Sequence, residues 1–243
     1  MRQDFPIPES QAPDPRRIHC EGLAVLNSDT HSTPCLLGQD LAYRRGGAWL
    51  FKGLHLALHP REALWLRGPN GCGKTSLLRL AVGLARPDAG SFVWKGTPVQ
   101  GNAAYADALV YLGHNYGLKD DLTATEALGF LQQLHGRPSS ADDVAGALDH
   151  LQVHAPRHTT LRVLSQGQRK RVALARLALE TTPGLWVLDE PFDALDAGGI
   201  GIVQGLLQGH MARGGSVLLT SHVSLGLGLA HVRELDLQKA SLP

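Results

Sequence analysis

The sequence predicts an α/β domain built on a mostly parallel sheet, with a mainly helical stretch inserted in it. Three observations lead there. Short apolar runs at 63–66, 109–112, 185–188 and 217–220 have strand length and are separated by helical patterns. A glycine-rich pattern follows the first of these runs and opens a helix. Residues from about 119 to 180 carry repeated helix start and stop signals with no strand pattern among them.

Composition narrows the class. The chain has 243 residues, 43% hydrophobic and 19% charged, which is globular composition and excludes a disordered or fibrous chain. Its 23 basic residues nearly cancel 22 acidic ones, leaving a net charge of +1. Without a positive field to hold a polyanion, nucleic acid is not an expected partner. A membrane-spanning helix needs about 18 to 20 apolar residues. No run reaches that length, and the longest apolar-leaning one, 217–230, is interrupted by His222. The opening MRQDFPIPES has no apolar core after its arginine, and the 3 cysteines cannot form a disulfide framework. The expected compartment is reducing and cytoplasmic.

Along the chain, residues 1–35 are rich in proline and lack periodicity, which predicts a solvated lead-in, with the folded domain spanning 36–243. Strands are expected at 54–58, 63–66, 91–94, 109–112, 185–188, 217–220 and 232–237. Helices are expected at 74–84, 125–134, 141–153 and 166–179. Thr123 and Glu126 have capping-box spacing at the start of the second, and the Thr182-Pro183-Gly184 cluster stops the fourth.

The glycine-rich pattern is Gly68-Pro69-Asn70-Gly71-Cys72-Gly73-Lys74-Thr75, followed by Ser76. Glycines at these positions let the backbone curl until its N–H groups face one concavity, and the helix that follows aims its positive end at the same point. This is a phosphate-binding P-loop. Lys74 adds a mobile cation for the β- and γ-phosphates, and the Thr75 hydroxyl is placed to ligate Mg²⁺. Cys72 is read as a small filler rather than a nucleophile.

A second motif, Leu185-Trp186-Val187-Leu188-Asp189-Glu190, is a buried-strand run ending in two carboxylates, at the edge where parallel sheets bind ligands. Asp189 would hold Mg²⁺ through water. Glu190 would orient and deprotonate the water that attacks a γ-phosphate.

Between the two lies Leu164-Ser165-Gln166-Gly167-Gln168, continued by Arg169-Lys170-Arg171. Ser165 and Gln168 have capping-box spacing, so the helix presents its N-terminal N–H groups to an anion. This stretch resembles the signature motif of ATP-binding-cassette (ABC) ATPases, and the resemblance extends over about residues 36–237. It implies a P-loop core with a parallel sheet, an antiparallel β arm over about 36–101 and a helical subdomain over about 119–180. It also implies that Ser165, Gly167 and Gln168 face ATP held by a second copy of the chain. Ala194-Leu195-Asp196 resembles the D-loop, and His222 the switch histidine that contacts the γ-phosphate. Tyr43 is the candidate to stack on adenine, with Trp49 as its competitor.

One element departs from the family. The loop after strand 109–112 reads Gly113-His114-Asn115-Tyr116-Gly117-Leu118-Lys119 and lacks the usual glutamine. Asn115 is the candidate Mg²⁺ ligand there, with His114 the alternative. The segments YLGHNYGLKDDLTATEAL, LSQGQRKRVALARL and LWVLDEPFDALD resemble the ATP-binding subunit of the cytochrome c maturation system, the haem exporter ATPase. That implies ATP hydrolysis to ADP and phosphate with Mg²⁺, at the cytoplasmic face of the inner membrane. The implied partners are a separate CcmB-like permease and other cytochrome c maturation proteins. The alternatives are an ATPase subunit for another exporter, of drugs or lipids, and a soluble ABC ATPase.

Two features are set aside. His150 and His154 share a helix face at metal-binding spacing but read as surface histidines. The Arg169-Lys170-Arg171 run reads as a solvated helix face.

Overall fold

Alternating apolar runs and helical patterns place nine strands and seven α-helices among the described residues of the computed structural model, which are 33–154, 158–222 and 231–240. The expected lead-in lies, up to residue 32, outside the described residues. In chain order the strands are β1 (Leu36–Arg45), β2 (Ala48–Leu58), β3 (Ala63–Arg67), β4 (Ala89–Trp94), β5 (Thr97–Pro98), β6 (Leu109–Leu112), β7 (Leu185–Leu188), β8 (Ser216–Thr220) and β9 (Val232–Asp236). The helices are α1 (Lys74–Ala81), α2 (Ala103–Ala108), α3 (Ala124–Leu134), α4 (Ala141–His150), α5 (Gln166–Ala178), α6 (Ala197–Ala212) and α7 (Leu237–Ala240).

Two sheets form. One is parallel, in the order β6-β7-β8-β3-β9, and the other antiparallel, in the order β2-β1-β4-β5. The α/β class with a parallel core and an antiparallel arm is therefore the observed one.

The parallel sheet is covered on both faces, and the period-2 alternation of its side chains feeds two cores. Trp65, Trp186, Leu188, Val217 and Leu219 point to a core shared with α3, α4, α5 and α6. Leu64, Leu66, Leu185, Val187 and Leu218 point to the other, shared with α1 and the antiparallel sheet. Each such side chain removed from water contributes about 1.5–3 kcal/mol, so the central strands are fixed in register by both faces at once. A one-residue slip would exchange the two cores.

The helical stretch is set by three capping boxes: Thr123 with Glu126, Ser140 with Asp143 and Ser165 with Gln168. They start α3, α4 and α5 within a residue of the expected positions. Expected ends overshoot where the backbone turns left-handed. The helix expected to 153 stops at His150, because Gln152 adopts φ 59°. That expected to 84 stops at Ala81, before Gly83 at φ 78°. Strand β9 ends one residue early, at Asp236, whose carboxylate takes the Gln238 N–H and starts α7.

Helices α2 and α6 carry no clear sequence signal. Gly198, Gly199, Gly201, Gly205 and Gly209 lie in α6, where each costs about 1 kcal/mol relative to alanine. Tertiary contacts override that cost. Asp196 caps the helix through the Gly199 N–H at 2.7 Å, and Val203, Leu207 and Met211 bury one stripe in the core.

Candidate nucleotide site

The loops that follow β3, β6, β7 and β8 leave the parallel sheet at one carboxyl edge, where such sheets bind ligands. The loop after β3 is the P-loop. Gly68, Gly71 and Gly73 take φ of 142°, 83° and 104°, the left-handed region closed to most side chains. At Gly73 a Cβ would also meet the Phe51 ring at 3.3 Å. Gly73 occupies the N-cap of α1 without a side-chain hydrogen bond, so no cap competes with an anion for the first-turn N–H groups. Cys72 packs its Sγ over Gly68, 2.7 Å from where a Cβ would stand, as a filler does. Pro69, Asn70 and Gly71 are exposed at the rim, while Ser76 is buried behind them.

Lys74 is the first residue of α1, and its buried ammonium folds back on the loop. It donates to the carbonyls of Gly68 at 2.8 Å and Pro69 at 3.1 Å. Phosphate oxygens can replace those acceptors without moving the helix.

A continuous polar chain crosses the sheet edge beside it. The Thr75 hydroxyl donates to Asp189 Oδ1 at 3.3 Å, and the Thr220 hydroxyl donates to the same oxygen at 2.9 Å. The Glu190 N–H in turn donates to Thr220 Oγ1 at 2.9 Å. Finally the His222 N–H donates to Glu190 Oε2 at 3.0 Å, and its Nε2 lies 3.5 Å from Oε1. Asp189 is buried, and Glu190 is half-buried with φ 51°. Burial pushes the Glu190 carboxyl above its ordinary pKa, against the lowering effect of His222. A carboxylate shifted this way accepts a proton more readily.

Thr220 was not among the residues expected from sequence. Its one signal is a hydroxyl directly after the apolar run 217–219 of a strand buried throughout. A cavity of about 530 Å³ is lined by Gly68, Lys74, Ser221 and His222 together with Trp65 and Arg67.

Other expected residues lie further out. Tyr43 stacks on Phe51, ring centroids 6.2 Å apart, and so reaches the P-loop through Phe51. Trp49 is 44% exposed, with Arg44 and Lys52 both over its ring. His114 and Asn115 are exposed on the loop after β6. Ser165 and Gln168 cap α5 reciprocally, at 3.2 and 3.0 Å. Among the described residues no hydrogen bond or ion pair joins either one to Lys74, Asp189 or Glu190. Gly167 touches the D-loop, where a Cβ would meet the Ala194 carbonyl oxygen at 2.8 Å.

The solvated face expected of Arg169, Lys170 and Arg171 does not form. Arg169 pairs with Asp120, and Arg171 pairs with Asp196 at 2.7 Å while donating to the Leu151 carbonyl. Lys170 is only 3% exposed. Acceptors supplied by the helical stretch and the D-loop hold the two arginines, and the Glu190 carbonyl in the turn after β7 takes Lys170. Of the two set-aside histidines, His154 pairs with Asp149 at 3.1 Å.

A family model described as ABC transporter matches residues 51–193. The chain belongs to the ABC transporter family. Among curated relatives of this ABC chain is the cytochrome c biogenesis ATP-binding export protein CcmA of Nitrosomonas europaea, 43% identical over 83% of the chain and 95% of that protein. The protein of the same name from Aromatoleum aromaticum is 46% identical over 79% of the chain and 90% of its own length. A solved ABC ATP-binding protein from Pyrococcus furiosus shares the fold at a TM-score of 0.72 and 23% identity, covering 85% of this chain and 99% of that one. A dimeric post-hydrolysis ATP-binding cassette bound to ADP and phosphate does so at 0.68 and 21%, covering 77% and 88%. The matched residues include the P-loop at 68–75, the turn at 164–168 and the acidic strand end at 189–190, and His222 lies beyond them. No described helix is long and apolar enough to cross a membrane.

Proposed function

We propose that this ABC chain is the ATP-hydrolysing subunit of an exporter complex for cytochrome c maturation, which powers haem export or the release of a haem chaperone. The observation that carries the reading is the identity of 39–46% with CcmA proteins over most of the chain. These relatives favour the cytochrome c branch over a drug or lipid exporter and over a soluble ATPase.

In this reading Lys74 exchanges the Gly68 and Pro69 carbonyls for β- and γ-phosphate oxygens of ATP, and the N–H groups of Gly71, Cys72, Gly73 and the first turn of α1 close around them. Tyr43 stacks on adenine. Thr75 and Asp189 offer hard oxygen donors 3.3 Å apart, a set suited to Mg²⁺, with Asn115 as a further oxygen. The ion, when bound, neutralises charge on the phosphates. Glu190, held by Thr220 and His222, orients the attacking water and takes its proton. His222 steadies the γ-phosphate. Ser165, Gly167 and Gln168 complete the site of a second copy, so two chains would enclose two ATP molecules. ATP-driven closure is passed to a separate CcmB-like permease that works with other cytochrome c maturation proteins. The subunit then sits at the cytoplasmic face of the inner membrane.

The test is complementation in cells lacking their own CcmA. The wild-type chain is expected to restore c-type cytochromes, seen as covalent haem on gels, and to co-purify with the membrane permease. Lys74→Ala is expected to do neither ATP binding nor restoration. Full restoration by Lys74→Ala would overturn the reading.

A further inference from the structure

The geometry points to Lys170 as a positioning residue that aims Glu190 through its backbone. This rests on the reading of Glu190 as the base that activates water.

Lys170 lies on α5, five residues after the cap Ser165, and its side chain runs inward to the turn that follows β7. Its Nζ donates to the Glu190 carbonyl at 2.7 Å, and the Asp193 N–H reaches the same oxygen at 3.3 Å. The Tyr116 ring closes the other side, 4.8 Å from the ammonium. A lysine 3% exposed is rare and costly unless its charge and donors are met. Here the carboxylates of Asp193, Asp189 and Glu190 offset the burial in part, and the pKa still falls to about 8. Retaining a cation at that cost implies that its hydrogen bond matters.

What the bond holds is a residue in an unfavourable conformation. Glu190 is not glycine, yet its φ is 51°, a left-handed backbone that persists only where surroundings impose it. Both of its peptide groups are pinned. The N–H is fixed on the Thr220 hydroxyl at 2.9 Å and the carbonyl on Lys170 at 2.7 Å. With both flanking peptides fixed, the Cα–Cβ direction is fixed too, and the carboxylate meets the His222 N–H at 3.0 Å. The Lys170 hydrogen bond goes to the carbonyl of Glu190 rather than to the carboxylate, so Lys170 acts on orientation rather than as an acid or base.

Two consequences follow for the molecule. The loop after β6 reaches Glu190 through Tyr116 and Lys170, although it lacks a glutamine. The helix that begins at the signature turn also grips the catalytic turn of its own chain.

The test compares Lys170→Met, Lys170→Gln and Glu190→Gln in the complex with the membrane permease, with binding of a fluorescent ATP analogue measured on the full chain. Methionine keeps the bulk and loses the donor, whereas glutamine keeps an N–H donor without the charge. Lys170→Met is expected to lower kcat about tenfold or more while KM and analogue affinity stay within about twofold. Lys170→Gln is expected to recover most of that loss. Unchanged kcat in Lys170→Met beside an inactive Glu190→Gln would overturn the proposal. So would equal loss in the Met and Gln variants, or loss of analogue binding and thermal stability together with kcat. Hydrolysis retained by Glu190→Gln would instead remove the base reading on which the proposal rests.

Discussion

Glu190 and His222 are joined twice, by the His222 N–H on Oε2 at 3.0 Å and by the imidazole 3.5 Å from Oε1. The amide contact survives replacement of the imidazole by alanine, so the two residues separate cleanly by mutation. Glu190→Gln is expected to bind ATP, accumulate as an ATP-bound dimer and lose hydrolysis by about a hundredfold or more. His222→Ala is expected to lose less, about tenfold or more, with the dimer still forming. Turnover assays and size-exclusion chromatography with ATP check both.

Thr220 serves two partners with one hydroxyl, donating to Asp189 and accepting from the Glu190 N–H. Valine has nearly the same shape, so Thr220→Val leaves the Glu190 N–H without its acceptor and Asp189 Oδ1 with the Thr75 hydroxyl alone, without making a cavity. The expected cost is about 1–3 kcal/mol in urea unfolding, together with a lower kcat. Thr220→Ser is expected to restore most of both.

Gly167 must stay small. A methyl there stands 2.8 Å from the Ala194 carbonyl oxygen, and Ala194 is itself left-handed at φ 62°. Gly167→Ala is expected to push the start of α5 from the D-loop. ATP-dependent dimerisation then weakens in light scattering while binding of ATP to the monomer is kept.

His210 gives the fold an acid limit. It is fully buried, stacked on Trp186 at 3.9 Å and bonded to the Gly184 carbonyl at 3.2 Å, and burial pushes its pKa down to about 4 from 6.5. Above pH 6.5 the ring is neutral in both states and costs nothing. As pH falls below 6.5 the unfolded chain takes the proton first, so stability drops down to about pH 4, by roughly 3 kcal/mol in all. Urea midpoints at pH 7 and pH 5 measure the slope, and His210→Phe is expected to flatten it.

The parts of the site set by local backbone chemistry were legible in sequence. Gly68, Gly71 and Gly73 require positive φ within a few residues of one another, and the capping boxes opened by Thr123 and Ser165 mark their helices wherever the chain goes. The central strands were legible because burial on both faces makes them continuous apolar runs. Thr220 and Lys170 were not, because their partners lie 30 and 20 residues away and are supplied only by the fold. A lysine between two arginines reads as solvent-facing until Glu190 and Tyr116 enclose it. Helix α6 was hidden by its glycines, whose propensity argues for a loop until Asp196 and the buried Val203, Leu207 and Met211 decide otherwise.

Helix α5 serves more than one master. In the proposed dimer its first turn, at Ser165, would lie on the neighbour's ATP, while Lys170, about 7.5 Å further along the axis, grips the home chain's Glu190. A rigid rod held at both points cannot tilt for one without disturbing the other. The two ATP molecules would then be timed by a common part, and the dimer would fire as a linked pair whose second turnover depends on the first.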